Sequence, residues 1–360
     1  RPKHWDNIED PVCILRLNLY GHPLAGLIWE KWCQKHIFEA GFEKARGWEC
    51  LYIHRQQKLF LSCYVDDFKM AGDKNSLKKM WAVLGRKGAL DLEPSVKLDG
   101  NVYLGCTQNN IPAPNALIEE KRVMFQKLID RKVIDEDAGC KPSSETEKEN
   151  RTPNSTSQGE SPADYAKVQA WEYNMCGHAE KCVERYLELA GKDVKSLKFV
   201  ATPCIDDHLL NSTDFETKGI LSEEAARIVL KALYLARMGR PEILWAVNSL
   251  AREVTKWTVA CDKRLHRLIC YIHHHGNMVI TCYVGDAPDK CYLAMFVDAS
   301  FAGDLKDSKS TTGVYLCLVG PQTFVPLAWF CKKQGAVSHS SSEAEVIALE
   351  AGTRRKEVQH

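Results

Sequence analysis

The chain has 360 residues, of which 45% are hydrophobic and 26% charged, so it is long enough for two or three domains with cores of their own. Its formal net charge is +1, from 48 basic and 47 acidic residues, and this balance neither favours nor excludes a nucleic-acid substrate. The sequence has neither a long apolar run nor a signal pattern, and its 15 cysteines are scattered as in reduced proteins, so we expect a cytoplasmic or nuclear protein that is neither secreted nor membrane-inserted.

The N-terminal part of the chain predicts a compact α+β unit. Apolar residues at helical spacing predict a helix over 25–40, which Gly41 would end. Strands are predicted at 51–53 and 59–61, where β-branched and aromatic residues concentrate. A helix at 77–84 and a strand at 102–104 complete the unit.

Two adjacent carboxylates, Asp66 and Asp67, lie between two apolar runs, which predicts a β-hairpin with the acids at its tip. Adjacent carboxylates repel each other, and a divalent cation relieves that repulsion. Nucleotidyl transfer uses two metal ions about 4 Å apart, which need such ligands. On these residues alone, however, an ordinary surface turn is the favoured interpretation.

The segment 135–164 contains no Val, Ile, Leu, Phe, Met, Trp or Tyr. It cannot bury enough apolar surface to offset the entropy lost on ordering. We therefore predict a disordered insert.

Helical periodicity then returns, and strands follow it. Helices are predicted at 183–189, 223–238, 243–254 and 262–274, strands at 278–283, 292–297, 313–318 and 324–330, and a last helix from 342 onward. Pro326 predicts that its strand lies at a sheet edge, because proline lacks the N–H that a central strand donates.

A second pair of acids accompanies these last elements. Asp298 follows an apolar strand, and Glu345 lies at the border of the apolar stripe of the last helix. Glu345 either caps this helix together with Ser342 or faces a site beside the sheet. Ser340 and Glu343 have the same capping spacing, so capping does not require Glu345.

Several short motifs occur in one order in the first part of the chain. They are Leu19-Tyr20-Gly21 with Trp29, Gly41-Phe42, Cys50-Leu51-Tyr52-Ile53, Tyr64-Val65-Asp66-Asp67 and Tyr103-Leu104-Gly105. In order and approximate spacing they resemble the reverse transcriptase of copia-type retrotransposons, in which Tyr-Val-Asp-Asp is the metal-binding hairpin signature and the Trp of the helix opened by Leu-Tyr-Gly packs into the palm.

A second ordered series covers most of residues 290–352. After Asp298 come Lys309-Ser310-Thr311, Lys332-Lys333-Gln334 and Ser340-Ser341-Ser342-Glu343-Ala344-Glu345. This series closely resembles the RNase H domain of the same elements. Between the two series, the stretches 201–203 and 234–252 resemble the helical connection of that family.

The resemblance implies an α+β fragment of a Pol polyprotein. It implies the C-terminal part of a reverse transcriptase palm at 1–134, the insert at 135–164, a helical thumb or connection at 165–277, and the N-terminal part of an RNase H-like domain, a mixed sheet with a helix, at 278–360. The Arg at the first position and the predicted helix at the last suggest cuts through a longer reading frame.

The resemblance also implies chemistry. The chain would be an RNA-directed DNA polymerase with RNase H, using Mg²⁺, in which Asp66 and Asp67 serve synthesis while Asp298 and Glu345 serve RNA cleavage, all four as catalytic metal ligands. Tyr20, Gly21 and Tyr64 are candidate substrate-binding residues. The implied partners are an RNA template, a DNA primer, RNA/DNA hybrids, dNTPs and other Pol segments.

Departures from the family pattern leave other hypotheses open. His22-Pro23-Leu24 stands where the family has Leu-Lys-Gln, and Ser300 where it often has an acid. The third palm Asp and the later RNase H carboxylates of the family find no counterpart in this sequence. The chain could therefore be a catalytically inactive remnant that at most binds nucleic acid, or an unrelated soluble helical protein with accidental motifs.

Other polar groups carry weaker signals. Cys176, His178 and Cys182 are metal-ligand types without zinc-site spacing. For the run His273 to His275, phosphate contact or simple exposure is favoured over metal ligation. The basic clusters either contact phosphate or form solvated helix faces; they are Lys121-Arg122, Arg131-Lys132 and Lys263-Arg264 with Arg267.

Overall fold

The computed structural model describes residues 5–10, 12, 18–19, 21–130, 167–303 and 307–354. The predicted insert at 135–164 lies outside the described residues. Within them the chain divides into two compact units, with the division between Val96 and Lys97. The described residues form nine α-helices and two antiparallel sheets, of four and seven strands, which confirms the predicted α+β class. The prediction of a mixed sheet at 278–360 is wrong, because the strands described there pair antiparallel.

The first unit is a four-stranded sheet with two helices packed on one face. The strands follow the order β1-β2-β3-β4, and each pairs with the next in the chain. Strand β3 alternates between buried and exposed residues, as a sheet with one covered face requires. The elements are α1 (Ala25–Glu39), β1 (Glu43–Lys44), β2 (Leu51–His54), β3 (Leu59–Tyr64), β4 (Asp67–Gly72) and α2 (Lys74–Leu84).

The core of this unit joins both helices to the sheet. Ile37 of α1 and Leu84 of α2 are buried against Leu59 and Leu61 of β3. Helix α2 begins three residues before its predicted start, because the Asp73 side chain caps it by accepting hydrogen bonds from the N–H groups of Asn75 and Ser76.

The second unit is built on a seven-stranded sheet in the order β5-β6-β7-β8-β11-β10-β9. This sheet contains strands from the predicted palm, connection and RNase H-like segments. The bounds of those segments stay a prediction. Its strands are β5 (Asn101–Tyr103), β6 (Cys106–Ile111), β7 (Gln169–Asn174), β8 (Ile280–Val284), β9 (Tyr292–Ser300), β10 (Thr311–Gly320) and β11 (Thr323–Lys333). Its helices are α3 (Asn115–Ile129), α4 (Cys176–Ala190), α5 (Ser212–Glu216), α6 (Ala225–Met238), α7 (Leu244–Arg252), α8 (Val259–His274) and α9 (Ser341–Thr353).

The helices α4, α6, α7 and α8 form the largest apolar core of the protein and join it to the sheet. The indole N–H of Trp329 on β11 donates to the Ala236 carbonyl at the end of α6. The Asn248 side chain on α7 donates to the Cys331 carbonyl on the same strand. These contacts place α7 against one face of β11.

The prediction that Pro326 marks an edge strand is wrong. Strand β11 lies between β8 and β10. Two features make proline tolerable there. Its pairing with β8 is confined to Phe324 opposite Tyr283, and the ladder with β10 shifts register between Leu316 and Cys317, directly opposite the proline.

Among the described residues, no helix combines the length and apolar character needed to cross a membrane.

Two candidate carboxylate sites

The Tyr64-Val65-Asp66-Asp67 segment forms a tight β-hairpin, as predicted. Tyr64 at the end of β3 pairs with Asp67 at the start of β4, so Val65 and Asp66 form the turn between them. All four residues are exposed, and Tyr64 is 54% exposed. The predicted hairpin with both acids exposed at its tip is confirmed, and the prediction that both carboxylates lie on the same side stays a prediction.

The alternation of β3 assigns Asp67 to the open face of the sheet. Leu59 and Leu61 point into the core, so Tyr64 lies on the opposite face, together with its cross-strand partner Asp67. Tyr64 and Asp67 therefore share a face of the sheet that the helices of this unit leave uncovered.

The backbone of the turn is tied to helix α1. Val65 has a φ of +56°, and its carbonyl accepts a hydrogen bond of 2.8 Å from the indole N–H of Trp29. The family resemblance implied packing of this Trp but not its bond to the turn.

Two thiols lie beneath the hairpin. The sulfur atoms of Cys33 on α1 and Cys63 on β3 are 3.7 Å apart. The hydrogen bond between them lowers the pKa of Cys33 and raises the pKa of Cys63, whose burial raises it further.

Of the candidate substrate-binding residues at the start of α1, Tyr20 lies outside the described residues. Gly21 is exposed and has a φ of +90°, a conformation that favours glycine. No heavy atom of the described residues lies within 4 Å of the position that a Cβ would take there. The turn thus requires glycine for its backbone conformation rather than for close packing.

The second pair of acids is brought together by β9 and α9. A carboxylate oxygen of Glu345 on α9 accepts a hydrogen bond of 3.2 Å from the backbone N–H of Ala299, the residue after Asp298. Both acids are exposed. The fold therefore brings the Glu345 carboxylate to the backbone of the residue after Asp298, although the two acids are far apart in sequence.

The two carboxylates approach β9 from different sides. Gly352 of α9 lies against Met295, so the face of β9 that carries Met295 is the covered one. Asp298 lies on the other face, where it lines a groove of about 470 Å³ between the sheet and α7. Trp245, Tyr315 and Trp329 also line this groove.

Helix α9 begins with a cap that leaves Glu345 available. The Ser340 hydroxyl accepts a hydrogen bond from the N–H of Glu343, and the Glu343 carboxylate accepts one from the N–H of His339. Ser340 and Glu343 thus serve the cap, as their spacing allowed.

Gln334 has a structural role that the sequence did not reveal. Its side chain is 6% exposed and donates to the Thr312 hydroxyl and the Ala344 carbonyl, while it accepts a hydrogen bond from Ser338. It thereby connects β10 and β11 to α9. The one sequence feature that pointed to Gln334 was its place in the Lys-Lys-Gln motif. The two lysines before it favour the prediction that the side chain is exposed.

The basic cluster on α8 is bound within the protein. Lys263 pairs with Asp214 at 2.6 Å, Arg264 pairs with Asp207 at 2.5 Å, and Arg267 donates to Thr202. These ion pairs and hydrogen bonds connect α8 to segments that precede it in the chain. The three basic side chains thus have partners within the protein.

The neighbouring histidines have similar structural roles. A ring nitrogen of His274 lies 3.1 Å from the Leu197 carbonyl, and one of His275 lies 3.0 Å from the Val200 carbonyl. His178 likewise lies 3.1 Å from the Lys231 carbonyl, and burial lowers its pKa. Both His274 and His275 are thus hydrogen-bonded within the protein, and His274 is also exposed, as one of the two predicted alternatives had it, while phosphate contact stays a prediction.

The exposed carboxylates fit Mg²⁺ by the chemistry of their oxygen donors. Within the described part of the chain, however, no three His, Cys, Asp or Glu side chains are grouped so that they could hold a metal ion. The hairpin thus presents two adjacent exposed carboxylates, whereas Asp298 and Glu345 are exposed on different faces of β9.

Comparison with known proteins gives partial matches to retrotransposon proteins. The chain is 34% identical over 157 residues to the retrovirus-related Pol polyprotein from transposon RE1 of Arabidopsis thaliana, covering 44% of this chain and 10% of that protein. It is 29% identical over 185 residues to the corresponding polyprotein from transposon TNT 1-94 of Nicotiana tabacum, covering 47% of this chain and 12% of that protein.

A third match is to an uncharacterised mitochondrial protein of Arabidopsis thaliana, 30% identical over 123 residues, which covers 34% of this chain and 48% of that protein. No family model and no solved structure gave a significant match. The chain is thus distantly similar, in part, to copia-type and Ty1-type Pol polyproteins, and it spans less than half the length of these relatives.

Proposed function

We propose that the chain is part of a retrotransposon Pol polyprotein that carries out RNA-directed DNA synthesis and cleaves the RNA strand of RNA/DNA hybrids. The observation that carries the proposal is the exposed hairpin turn with adjacent carboxylates, Asp66 and Asp67, in a chain with partial similarity to Pol polyproteins. The acid pair alone would fit an ordinary surface turn, and its place in a chain with partial similarity to Pol polyproteins favours metal binding.

In this proposal Asp66 and Asp67 hold Mg²⁺ for synthesis. The bound metal supplies positive charge to the attacking and leaving oxygens of a phosphodiester displacement. The two residues accept the metal through free carboxylate oxygens on an open sheet face. Tyr64, beside Asp67 on that face, offers an exposed ring to a dNTP or to the primer end, and Gly21 keeps the entry to α1 free of a side chain.

Asp298 and Glu345 serve RNA cleavage in the same proposal. The bond from Ala299 to Glu345 holds the helix carboxylate at the strand that carries Asp298. Asp298 faces the groove beside α7, so we assign the RNA/DNA hybrid to that side of the sheet. The RNA template, DNA primer, dNTPs and other Pol segments are the corresponding partners.

The second candidate function is that of a remnant that binds nucleic acid without catalysis. It is favoured by one observation, that in the described ranges each acid pair lacks a third ligand. Two-metal catalysis depends steeply on its full ligand set, and losing one ligand usually removes most of the rate. We therefore expect no measurable DNA synthesis or RNA cleavage from residues 1–360 alone.

Binding of an RNA/DNA hybrid separates the two candidates without relying on turnover. Fluorescence anisotropy of a labelled hybrid is measured with the purified chain in Mg²⁺ and in EDTA. We expect tighter binding in Mg²⁺, with a loss of that difference in a variant that combines Asp66→Asn, Asp67→Asn, Asp298→Asn and Glu345→Gln. Equal binding in Mg²⁺ and EDTA would instead support the remnant, and turnover abolished by Asp67→Asn or Asp298→Asn would show that two carboxylates suffice.

A further inference from the structure

The turn that carries Asp66 contains an unusual backbone conformation. Val65 has a φ of +56°, in the left-handed region. A β-branched residue rarely adopts this conformation, because its side chain crowds the neighbouring peptide groups. Something outside the residue must therefore hold it there.

The carbonyl of Val65 has a partner that can do this. The indole N–H of Trp29 donates to it at 2.8 Å from α1, which is a separate element of the same unit. One helical turn further along, Cys33 is buried, and its sulfur lies 3.7 Å from that of Cys63 on β3. The helix is thus fixed to the strand by packing, and the indole extends from this fixed helix to the turn.

The hydrogen bond acts at the peptide that leads into Asp66. The Val65 carbonyl belongs to the peptide group between Val65 and Asp66, and that group is planar. Fixing its oxygen fixes the orientation of its N–H and therefore restricts where the Asp66 Cα lies. A carboxylate that binds metal loses less entropy when its backbone is already ordered.

We propose that Trp29 is a positioning residue, whose indole N–H holds Val65 in the left-handed conformation and so orders Asp66 and Asp67 for a divalent cation. The metal part of this inference rests on the proposed function, whereas the ordering of the turn does not. Trp29 would thereby determine the geometry of a metal site to which it contributes no ligand atom.

Two substitutions test the proposal together. Trp29→Phe keeps an aromatic ring but removes the N–H, and Val65→Gly removes the strain, because glycine adopts a positive φ freely. Trp32→Phe is the matched control, since Trp32 lies on the same helix with its ring 5.5 Å from that of Trp29. The readouts are hydrogen exchange of the Asp66 and Asp67 amides in metal-free protein and Mn²⁺ affinity at the turn, with thermal unfolding to confirm folding.

We expect Trp29→Phe to speed exchange of both amides and to weaken Mn²⁺ binding, each by about tenfold, the size of effect expected for one lost hydrogen bond. Trp32→Phe should leave both within about twofold. Adding Val65→Gly to Trp29→Phe should restore the Mn²⁺ affinity to within about threefold, because the turn no longer needs to be held against strain.

Unchanged exchange in Trp29→Phe, or strictly additive effects of the two substitutions, would overturn the inference even if Mn²⁺ binds. If the unsubstituted turn binds no Mn²⁺, the proposed function fails at this site, and the exchange measurement still decides whether Trp29 orders the turn.

Discussion

The two carboxylate sites differ in how the chain builds them. Asp66 and Asp67 are neighbours in one turn, and a single hairpin determines their position. Asp298 and Glu345 come from a strand and a helix, and their proximity depends on how α9 packs on the sheet. A site made of consecutive residues can be recognised from a short motif, whereas a site assembled by packing also requires the residues that hold the elements together.

The largest loss of stability is expected at the open end of the hairpin, where β3 begins and β4 ends. Gly72 has a φ of +138°, and an added Cβ would lie 2.1 Å from the Lys58 carbonyl oxygen, a backbone atom that cannot move aside. Gly72→Ala should therefore destabilise the first unit by about 2–4 kcal/mol. Chemical denaturation followed by fluorescence measures this change.

Gly26→Ala is the control for that substitution. Gly26 lies in α1, and no heavy atom of the described residues is within 4 Å of its Cβ position. Alanine there should leave stability unchanged or raise it by up to about 1 kcal/mol. Equal losses in both variants would refute the close approach at Gly72.

The position of α9 beside Asp298 should depend on Gln334, a residue with no proposed catalytic role. Gln334→Leu removes the hydrogen bonds from Gln334 to Thr312 and Ala344 and leaves buried polar atoms without partners. We expect a loss of about 2–3 kcal/mol and faster hydrogen exchange at the start of α9.

An exposed glutamine on α3 provides the comparison for this variant. Among the described residues, the side chain of Gln126 donates to the Asp130 carboxylate, one turn further along the chain. Gln126→Leu should cost less than about 0.5 kcal/mol. If Gln334→Leu behaves like Gln126→Leu, the buried network does not hold α9 in place.

Alkaline pH should weaken the second unit. Burial raises the pKa of the Cys182, Cys282 and Cys317 thiols from the ordinary 9.0 to about 12. A raised folded pKa means that the unfolded chain loses the proton more easily, so the stability contribution is complete below pH 9 and is lost as the pH rises towards 12. The denaturation midpoint should therefore be lower at pH 10.5 than at pH 8. In Cys282→Ala this fall in midpoint with pH should be smaller. A midpoint that is constant over this range would contradict the burial of these thiols.

How much the sequence revealed depends on whether the deciding contacts are local. The hairpin and helix α1 follow from spacing and turn residues, and both were predicted, whereas the spacing of Ser340 and Glu343 offered only one of two ways to cap α9. Helix α3 and strands β6 and β7 were not predicted, because their apolar periodicity is weak and their burial comes from distant partners such as Tyr283 against Ile118. Pro326 was wrongly assigned to an edge strand. A register shift in the pairing of its strand with β10 makes the proline tolerable inside the sheet, and the sequence does not reveal that shift.

The candidate sites follow the same rule. The acids themselves were found from motifs, but Gln334 and the bond from Trp29 to Val65 depend on contacts between elements that a motif does not encode. The ion pairs of Lys263 and Arg264 with acids in a preceding segment were missed for the same reason.

The most direct test of the account is a titration with Mn²⁺ followed by NMR of backbone amides, since a bound paramagnetic ion broadens signals of nearby nuclei. The account predicts selective broadening at residues 64–67, lost in Asp67→Asn, and at residues 297–299 and 345, lost in Asp298→Asn and Glu345→Gln. Uniform broadening over the surface, or selective broadening that survives these substitutions, would contradict the assignment of metal binding to the two carboxylate pairs.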